Sequence, residues 1–245
     1  MLEPRAADHA VWLVALLLYL YDAARLLGPR ELLLVEQPRR GLAPVLGDNP
    51  FTSGARALAF GPVHLPQRGV FLASWGRPWS DAAALTATLE AISRLRASLG
   101  IVRALSALAG VLLFVVGPAL TLALGPNAAV LYTAAAVYPT VVAAVAALWW
   151  RRGRLRLTTG RSALLSLEVL LCPAFLPNLV RKITAQHVIE TDAAQVLAAT
   201  ATAEVTEELL TLLTRRAEAM LDDEAADGAG HSGLRRYLAT LRSPR

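Results

Sequence analysis

Two long apolar runs constrain this chain more than any other feature of its sequence. Residues 104–124 contain no charged side chain, and residues 128–150 form a second uncharged run that ends in Trp149 and Trp150. Because a helix rises about 1.5 Å per residue, each run is long enough to cross a hydrocarbon core of about 30 Å. Only the tripeptide Gly125-Pro126-Asn127 separates the runs, which predicts a tight antiparallel hairpin of transmembrane helices.

The composition also indicates a membrane protein. Hydrophobic residues make up 55% of the 245 residues, charged residues only 18%, and the mean hydropathy is +0.46, whereas soluble domains average about 25% charged residues. Of the 24 basic residues, Lys182 is the only lysine. This arginine, alanine and leucine bias is typical of a GC-rich bacterial gene, so the expected location is the bacterial inner membrane. The single cysteine, Cys172, excludes an internal disulfide and a cysteine-based zinc cluster.

A third apolar segment, residues 10–27, is predicted to be the first of three spans. It carries Asp22 and Arg25 in its final turns. This charged end lacks the small residues of a signal-peptide cleavage site, which favours a retained anchor over a cleaved signal.

The distribution of arginine orients the predicted spans. Cytoplasmic loops retain basic residues, and arginines flank the hairpin at both of its open ends, whereas its tip has none. The tip is therefore expected outside the cytoplasm, and most of the soluble mass inside. The flanking arginines are Arg94, Arg96 and Arg103 before the hairpin, and Arg151, Arg152, Arg154, Arg156 and Arg161 after it.

A fourth apolar stretch, residues 163–180, is predicted to be a re-entrant or interfacial segment. It has Glu168 at its centre, Pro173 and Pro177 inside it, and basic residues on both sides. Two basic flanks place both ends in the cytoplasm, and the prolines favour a break near Pro173. The alternative, a fourth span, would put the C-terminal region outside.

The remaining segments are expected to be cytoplasmic. Residues 31–76 contain short apolar runs between turn residues, which predicts a small four-stranded β-meander. Ser80 is a candidate N-cap for the amphipathic helix that follows.

Further on, residues 183–227 carry a net charge of −8, and Asp192 with Gln195 resembles a capping box at the start of a long acidic helix. The glycine-rich residues 227–233 are expected to break this helix before a short basic amphipathic tail.

The chain is therefore predicted to be an α-helical integral membrane protein with six consecutive parts. These are an N-terminal transmembrane helix (1–27), a cytoplasmic β unit with an amphipathic helix (28–100), the transmembrane hairpin (101–150), a basic juxtamembrane stretch with the re-entrant or interfacial segment (151–182), an acidic cytoplasmic helix (183–227), and a flexible link with a basic amphipathic tail (228–245).

Three sets of residues are candidates for function. Asp22 and Glu168 are acids within apolar segments, where ionisable groups often serve ion or proton handling. Contact of Asp22 with Arg25 or headgroup water, or of Glu168 with Arg181, Lys182 or a tail arginine, would instead be structural. Four arginines are candidates for contact with anionic lipids, although a topogenic flank also explains them: Arg151, Arg152, Arg154 and Arg156. An apolar stripe on the acidic helix is a candidate contact for a partner helix, or for the rest of the chain: Leu209, Leu213 and Met220.

No catalytic motif was found in the sequence. His9, His64, His187 and His231 lie in four separate segments without the spacing of a metal site, and Cys172 has no histidine or carboxylate nearby in sequence to activate it. Neither a phosphate-binding loop nor a nucleophile elbow is present. We therefore expect no catalytic, metal or cofactor site, and no nucleic-acid partner.

These patterns favour a non-enzymatic accessory subunit, scaffold or assembly factor of a bacterial inner-membrane complex. Its expected partners are the lipid bilayer and either other membrane subunits or further copies of the chain. The alternative is a subunit of a small transporter or channel, with Asp22 and Glu168 as its polar elements. A third possibility is a membrane enzyme that acts on a lipid or isoprenoid.

Overall fold

Most of the described residues are helical, and the strands form two small sheets. The fold comes from a computed structural model that describes residues 10–37, 41–45, 52–53, 56–60, 67–223 and 228–242. The helices are α1 (Ala10–Ala23), α2 (Ala82–Ser98), α3 (Gly100–Val111), α4 (Gly117–Leu124), α5 (Pro126–Arg151), α6 (Thr159–Leu171), α7 (Leu179–Thr184), α8 (Ala193–Thr200), α9 (Ala203–Asp223) and α10 (Gly228–Arg242). The strands are β1 (Ala24–Leu27), β2 (Glu31–Gln37), β3 (Gly41–Val45), β4 (Thr52–Ser53), β5 (Arg56–Phe60) and β6 (Val70–Ser74).

The chain divides into two compact units, each built from separate stretches of sequence. Unit 1 comprises Met1–Arg25, Phe60–Gly69 and Ser93–Gln186. Unit 2 comprises Leu26–Ala59, Val70–Ile92 and His187–Arg245.

The predicted hairpin is the main feature of unit 1. Gly100–Leu124, with 25 residues, and Pro126–Arg151, with 26, are both long and apolar enough to cross a membrane. Their connection is Gly125, whose positive φ of 82° suits a residue without a side chain. A π-helical turn at Leu112–Val116 joins α3 to α4, and the Gly117 N–H bonds to the Leu112 carbonyl five residues back. This turn lies directly before Pro118, which has no N–H to continue an α-helix.

A close contact fixes α1 against the hairpin. A Cβ placed on Gly117 would lie only 2.5 Å from the Trp12 ring, so only glycine admits the indole there. The indole nitrogen of Trp12 then donates a 2.7 Å hydrogen bond to Thr121 Oγ1, and both side chains are buried. A polar contact thus replaces solvent for the one polar atom of this tryptophan.

The first helix is shorter than the sequence predicts. It ends at Ala23, and Ala24–Leu27 forms β1 instead of the final helical turn. Tertiary contacts account for this difference. Strand β1 joins a sheet in the order β1-β5-β4, and Leu27 is only 2% exposed. As described, α1 has 14 residues, which extend about 21 Å.

The fourth apolar stretch is broken where its prolines predict. Helix α6 ends at Leu171, Cys172 has a non-helical backbone with φ of −134° and ψ of 89°, and Pro173–Asn178 forms a 3₁₀ segment that leads into α7. This 3₁₀ segment packs against α1, α3, α5 and α6. It therefore lies at the centre of unit 1.

The β region has the predicted strands in a different topology. In place of a simple meander, β2 is the central strand of the sheet β3-β2-β6, antiparallel to both neighbours. The four residues from Leu32 to Val35 are all buried, so both faces of β2 are covered. A strand that is covered on both faces has a continuous apolar sequence. In this sheet it pairs with one strand on each side.

Two predicted helix starts need correction. Helix α2 is capped by Asp81, whose Oδ1 accepts a 2.7 Å hydrogen bond from the Ala84 N–H, and not by Ser80. Asp192 caps α8 by accepting from Ala194, but Gln195 does not complete a capping box. Its amide instead accepts from the backbone N–H of Ser80 and donates to the Ser80 carbonyl, at 2.9 and 2.7 Å.

The acidic region is also divided differently from the prediction. After the end of α7, the described part of residues 183–227 forms two helices, α8 and α9, in place of one long helix. Helix α9 ends at Asp223 and α10 begins at Gly228, so the glycine-rich residues from Gly228 onward lie inside a helix, while residues 224–227 lie outside the described residues. The apolar side of α10, with Leu234, Tyr237 and Leu238, is buried, and α10 packs against α9. The acidic partner of this basic helix is therefore a helix of the same chain.

Candidate functional site

The only lysine of the chain lies between two partly buried carboxylates in unit 1. Lys182 Nζ is 2.7 Å from Asp22 Oδ1 and 2.6 Å from Glu168 Oε2. The side chains of Lys182 and Asp22 are each 11% exposed, and that of Glu168 is 32% exposed. Both acids that the sequence marks as candidates therefore contact one ammonium group.

Three helices supply these charges. Asp22 comes from the last turn of α1, Glu168 from α6 and Lys182 from α7. The break at Cys172 and Pro173 reverses the chain after α6, and this reversal brings residues 168 and 182 together. A continuous helix of 14 residues would hold them about 21 Å apart. The prolines thus build the site as well as interrupting the apolar stretch.

A polar layer supports the lysine. Asn178 is fully buried; its Nδ2 donates to the backbone carbonyl of Tyr19 at 2.8 Å, and its Oδ1 accepts from Arg181 at 2.8 Å. The Arg181 guanidinium lies 5.8 Å from the centre of the Tyr19 ring. Lys182 Nζ is 4.7 Å from the centre of the Phe175 ring, a cation–π distance.

The charges of this cluster balance. Asp22 and Glu168 are two anions, while Lys182 and Arg181 are two cations, and all four lie in one apolar unit. Removing charges from water is expensive unless they are paired and hydrogen-bonded. The arrangement can therefore hold α1, α6 and α7 together, and it can also pass a proton between groups that share one ammonium.

The sequence identifies part of this site. The pairing of Glu168 with Lys182 is one of the contacts proposed from the sequence, and the structure contains it. The expected pairing of Asp22 with Arg25 is wrong, because α1 ends at Ala23 and Arg25 lies in β1. The sequence analysis missed Asn178 as a site residue. The signal that could have found the centre is Lys182 itself, a single lysine in a chain that otherwise uses arginine.

The four candidate lipid-binding arginines lie at and after the end of α5. Arg151 donates to the Ser98 carbonyl at 2.9 Å, and Arg152 donates to Thr159 Oγ1 at 3.0 Å. Arg154 and Arg156 are exposed. Arg156 has a positive φ of 51°.

The candidate partner contacts are largely internal. Leu209 and Leu213 are 1% and 0% exposed, and α9 packs against α8 and α10. Met220 is half-buried. The burial of the two leucines matches docking of this stripe onto the chain itself.

Unit 2 contains its own buried carboxylate, Asp192, which is 0% exposed. Asp192 Oδ1 accepts from the Ala194 N–H at 2.9 Å and from the Tyr237 hydroxyl at 3.2 Å, and Oδ2 accepts from the Arg77 N–H at 3.1 Å. Burial raises the pKa of the Asp192 carboxyl, and these hydrogen bonds oppose that rise. This carboxylate joins the segment after β6, the start of α8 and helix α10.

The described residues place no other sulfur or imidazole group in a recognisable centre. Cys172 is a free, half-buried thiol. His9 and His64 lie outside the described residues, as does the side chain of His231. Within the part of the chain that the structure describes, no group of three His, Cys, Asp or Glu side chains could hold a metal ion.

Comparisons with protein families, with curated proteins and with solved structures gave no match to this chain.

Proposed function

We propose that this chain is a non-enzymatic, multi-pass protein of the bacterial inner membrane that serves as an accessory subunit, scaffold or assembly factor of a membrane complex. Unit 1 is the membrane part, with α3–α4 and α5 as two spans and the N-terminal apolar segment that contains α1 as the third. Unit 2 is the cytoplasmic body that contacts other subunits.

One observation carries this proposal: the exposed large hydrophobic side chains among the described residues belong almost entirely to unit 1. Only Leu26 and Val188 belong to unit 2. In unit 1, Leu122 is 79% exposed, Trp150 80% and Tyr21 79%. Apolar patches of this extent on a soluble monomer are rare, and they mark surfaces that contact lipid or other proteins.

The interior of unit 1 supports the same reading. Its helices bury hydroxyl and amide groups while exposing leucine, valine and aromatic side chains. Helices in lipid pack through small and polar residues because their outer faces meet acyl chains. The buried hydroxyl and amide residues described in unit 1 are Ser98, Ser106, Thr121, Thr133, Thr140, Ser162, Ser166, Asn178 and Thr184.

The charge cluster favours a structural role over a catalytic or transport cycle. Lys182 is engaged by both carboxylates, and Arg181 by Asn178, so both cations already have polar partners within the unit. Unit 2 in turn presents an exposed acidic face on α9, formed by Glu204, Glu207 and Glu208. A charged surface of this kind selects partners and steers their encounter.

The proposal is tested by deleting the gene and measuring membrane complexes in the native host. We expect at least one complex to decline and to co-purify with the tagged protein at a fixed ratio in mild detergent. Complementation with the wild-type gene should restore that complex, whereas a variant truncated before α9 should not. Purification of the protein alone, with every membrane complex at its normal level in the deletion strain, would contradict the proposal.

The orientation follows from the arginine flanks and has its own test. A reporter active only in the periplasm should be active when inserted at Asn127 and inactive at Arg154. The reverse pattern would place unit 2 outside the cytoplasm.

A second candidate function, a subunit of a transporter or channel, is favoured by the convergence of Asp22 and Glu168 on Lys182. Such a subunit would need these acids to exchange protons or cations during its cycle. Reconstituted vesicles would then show an ion flux that Asp22→Asn abolishes, whereas a scaffold gives no flux with either protein.

A further inference from the structure

The loop between α5 and α6 presents arginines in an ordered way. Leu155 and Leu157 are buried, whereas Arg154 and Arg156 are exposed. Backbone hydrogen bonds close the loop, from the Leu155 N–H to the Arg151 carbonyl at 2.9 Å and from the Leu157 N–H to the Arg152 carbonyl at 3.0 Å. The two leucines anchor the loop, so Arg154 before them and Arg156 between them face outward.

The backbone at Arg156 is unusual for a residue with a side chain. Its φ of 51° lies in the left-handed region, which favours glycine. Nevertheless, an arginine occupies this position, and the glycine of the same loop, Gly153, lies three residues earlier. Within the described residues, the side chains of Arg154 and Arg156 form no hydrogen bond or ion pair, whereas the Arg156 backbone N–H donates to the Gly153 carbonyl at 3.2 Å. Two guanidinium groups therefore remain free at a strained, closed loop.

The loop begins at a pair of exposed tryptophans. The guanidinium of Arg151 lies 5.9 Å from the ring centre of Trp150, and that of Arg152 lies 5.6 Å from the ring centre of Trp149. Tryptophan side chains at the end of a membrane helix prefer the headgroup region. The arginines that follow are thus placed at the depth of lipid phosphates.

The local charge is uncompensated. Residues 151–161 contain five arginines and no acidic residue. The arginine guanidinium presents a planar fork of donors that matches phosphate oxygens, and it is more weakly hydrated than the lysine ammonium. Phosphodiester headgroups of anionic lipids have this geometry and the opposite charge.

We propose that Arg152, Arg154 and Arg156 form a binding surface for anionic phospholipid headgroups. This inference rests on the proposed membrane location of unit 1, and it adds a preferred lipid class. A topogenic flank acts during insertion and requires only charge. A lipid site also acts in the folded protein and gives it a measurable preference among lipids.

The test uses the full-length protein in vesicles of phosphatidylcholine, with brominated phosphatidylglycerol or brominated phosphatidylcholine added in turn. Bromine quenches tryptophan fluorescence on contact, and Trp150 is the most exposed tryptophan next to the loop. We compare wild type with the triple variant Arg152→Gln, Arg154→Gln, Arg156→Gln. The matched control is Arg215→Gln, Arg235→Gln, Arg236→Gln, which removes the same charge from exposed positions of unit 2.

We expect brominated phosphatidylglycerol to quench the wild type at a lower mole fraction than brominated phosphatidylcholine. Each juxtamembrane arginine near an anionic surface contributes about a fivefold preference, so the triple variant should lose most of it. The double variant Arg154→Gln, Arg156→Gln removes no side-chain contact within the described residues and should lose about two thirds of what the triple variant loses on a logarithmic scale. A lysine triple variant should retain part of it.

Three outcomes would overturn the proposal. The preference could be unchanged in the triple variant, lost equally in the unit 2 control, or abolished by millimolar inorganic phosphate, which would identify a site for a free anion. Failure of wild type to insert even into phosphatidylcholine vesicles would refute the membrane location as well. Insertion without any lipid preference would refute only the lipid site.

Discussion

The two units of this molecule each bury a carboxylate, and they stabilise it in different ways. In unit 1, Asp22 and Glu168 are paired with the ammonium group of Lys182 at 2.7 and 2.6 Å. In unit 2, Asp192 receives its hydrogen bonds from two backbone N–H groups and one hydroxyl. One site compensates charge with charge, whereas the other uses neutral donors.

The difference follows from the position of each acid in its helix. Asp192 precedes α8, where unpaired N–H groups and the positive end of the helix dipole favour an anion. Asp22 lies in the last turn of α1, where the exposed groups are carbonyls and the dipole disfavours a negative charge. An acid at this end of a helix needs a cation. The comparison therefore predicts that unit 1 depends on its lysine more strongly than unit 2 depends on any single donor.

The largest effect is expected from Lys182→Met. This change leaves two carboxylates in an apolar unit without their shared cation, which should destabilise unit 1 by about 3–5 kcal/mol. Thermal unfolding followed by circular dichroism in mild detergent measures the loss.

A neutral triple variant is the matched control for Lys182→Met. Asp22→Asn, Glu168→Gln and Lys182→Met together remove all three charges, and uncharged replacements of buried ion pairs are often neutral in stability. The triple variant should therefore recover most of the loss. If it is as unstable as the single variant, packing around the lysine stem, and not charge balance, holds the site.

The part of the fold that could be predicted is the part governed by local pattern. The uncharged runs predicted the hairpin, and the prolines predicted the break after α6. The strand segments were also identified, but their pairing was not, because the return of β6 to β2 depends on contacts between residues far apart in sequence. The end of α1 was misplaced for the same reason: pairing of β1 in a sheet outweighs the helical preference of Ala24 and Leu26.

The candidate sites show the same limit. Asp22 and Glu168 stand out because an acid in an apolar segment is conspicuous in sequence. Their shared partner, Lys182, is 160 residues from the first and 14 from the second, so only the fold brings the three together. Asp192 was predicted as a helix cap, and the structure adds a contact with Tyr237, 45 residues further on. No spacing rule connects those two residues.

A smaller effect is expected from Asp192→Ala in unit 2. The variant loses a helix cap, which contributes about 0.5–2 kcal/mol, and leaves buried donors without acceptors at about 1–3 kcal/mol. A total of about 2–3 kcal/mol should appear as faster amide hydrogen exchange in α8 and α10. Tyr237→Phe removes a single hydrogen bond and should cost about 1 kcal/mol. Equal effects of the two variants would mean that the tyrosine contact, and not the helix cap, dominates this site.

The smallest effect concerns pH and separates the two modes of stabilisation most directly. Because burial raises the pKa of the Asp192 carboxyl above its ordinary value of 3.8, the folded chain binds this proton more tightly than the unfolded chain does. Stability contributed by Asp192 is therefore highest at low pH and falls as pH rises from the pKa of the unfolded state through the pKa of the folded state.

Asp192→Asn has no such titration. The free energy of unfolding of unit 2, followed by the fluorescence of the buried Trp75, should thus favour wild type over Asp192→Asn progressively more as pH falls from about 7 to about 4. The opposite slope would mean that the three hydrogen bonds outweigh desolvation and hold the pKa below its ordinary value, in which case neutral donors would stabilise a buried anion as effectively as a cation does.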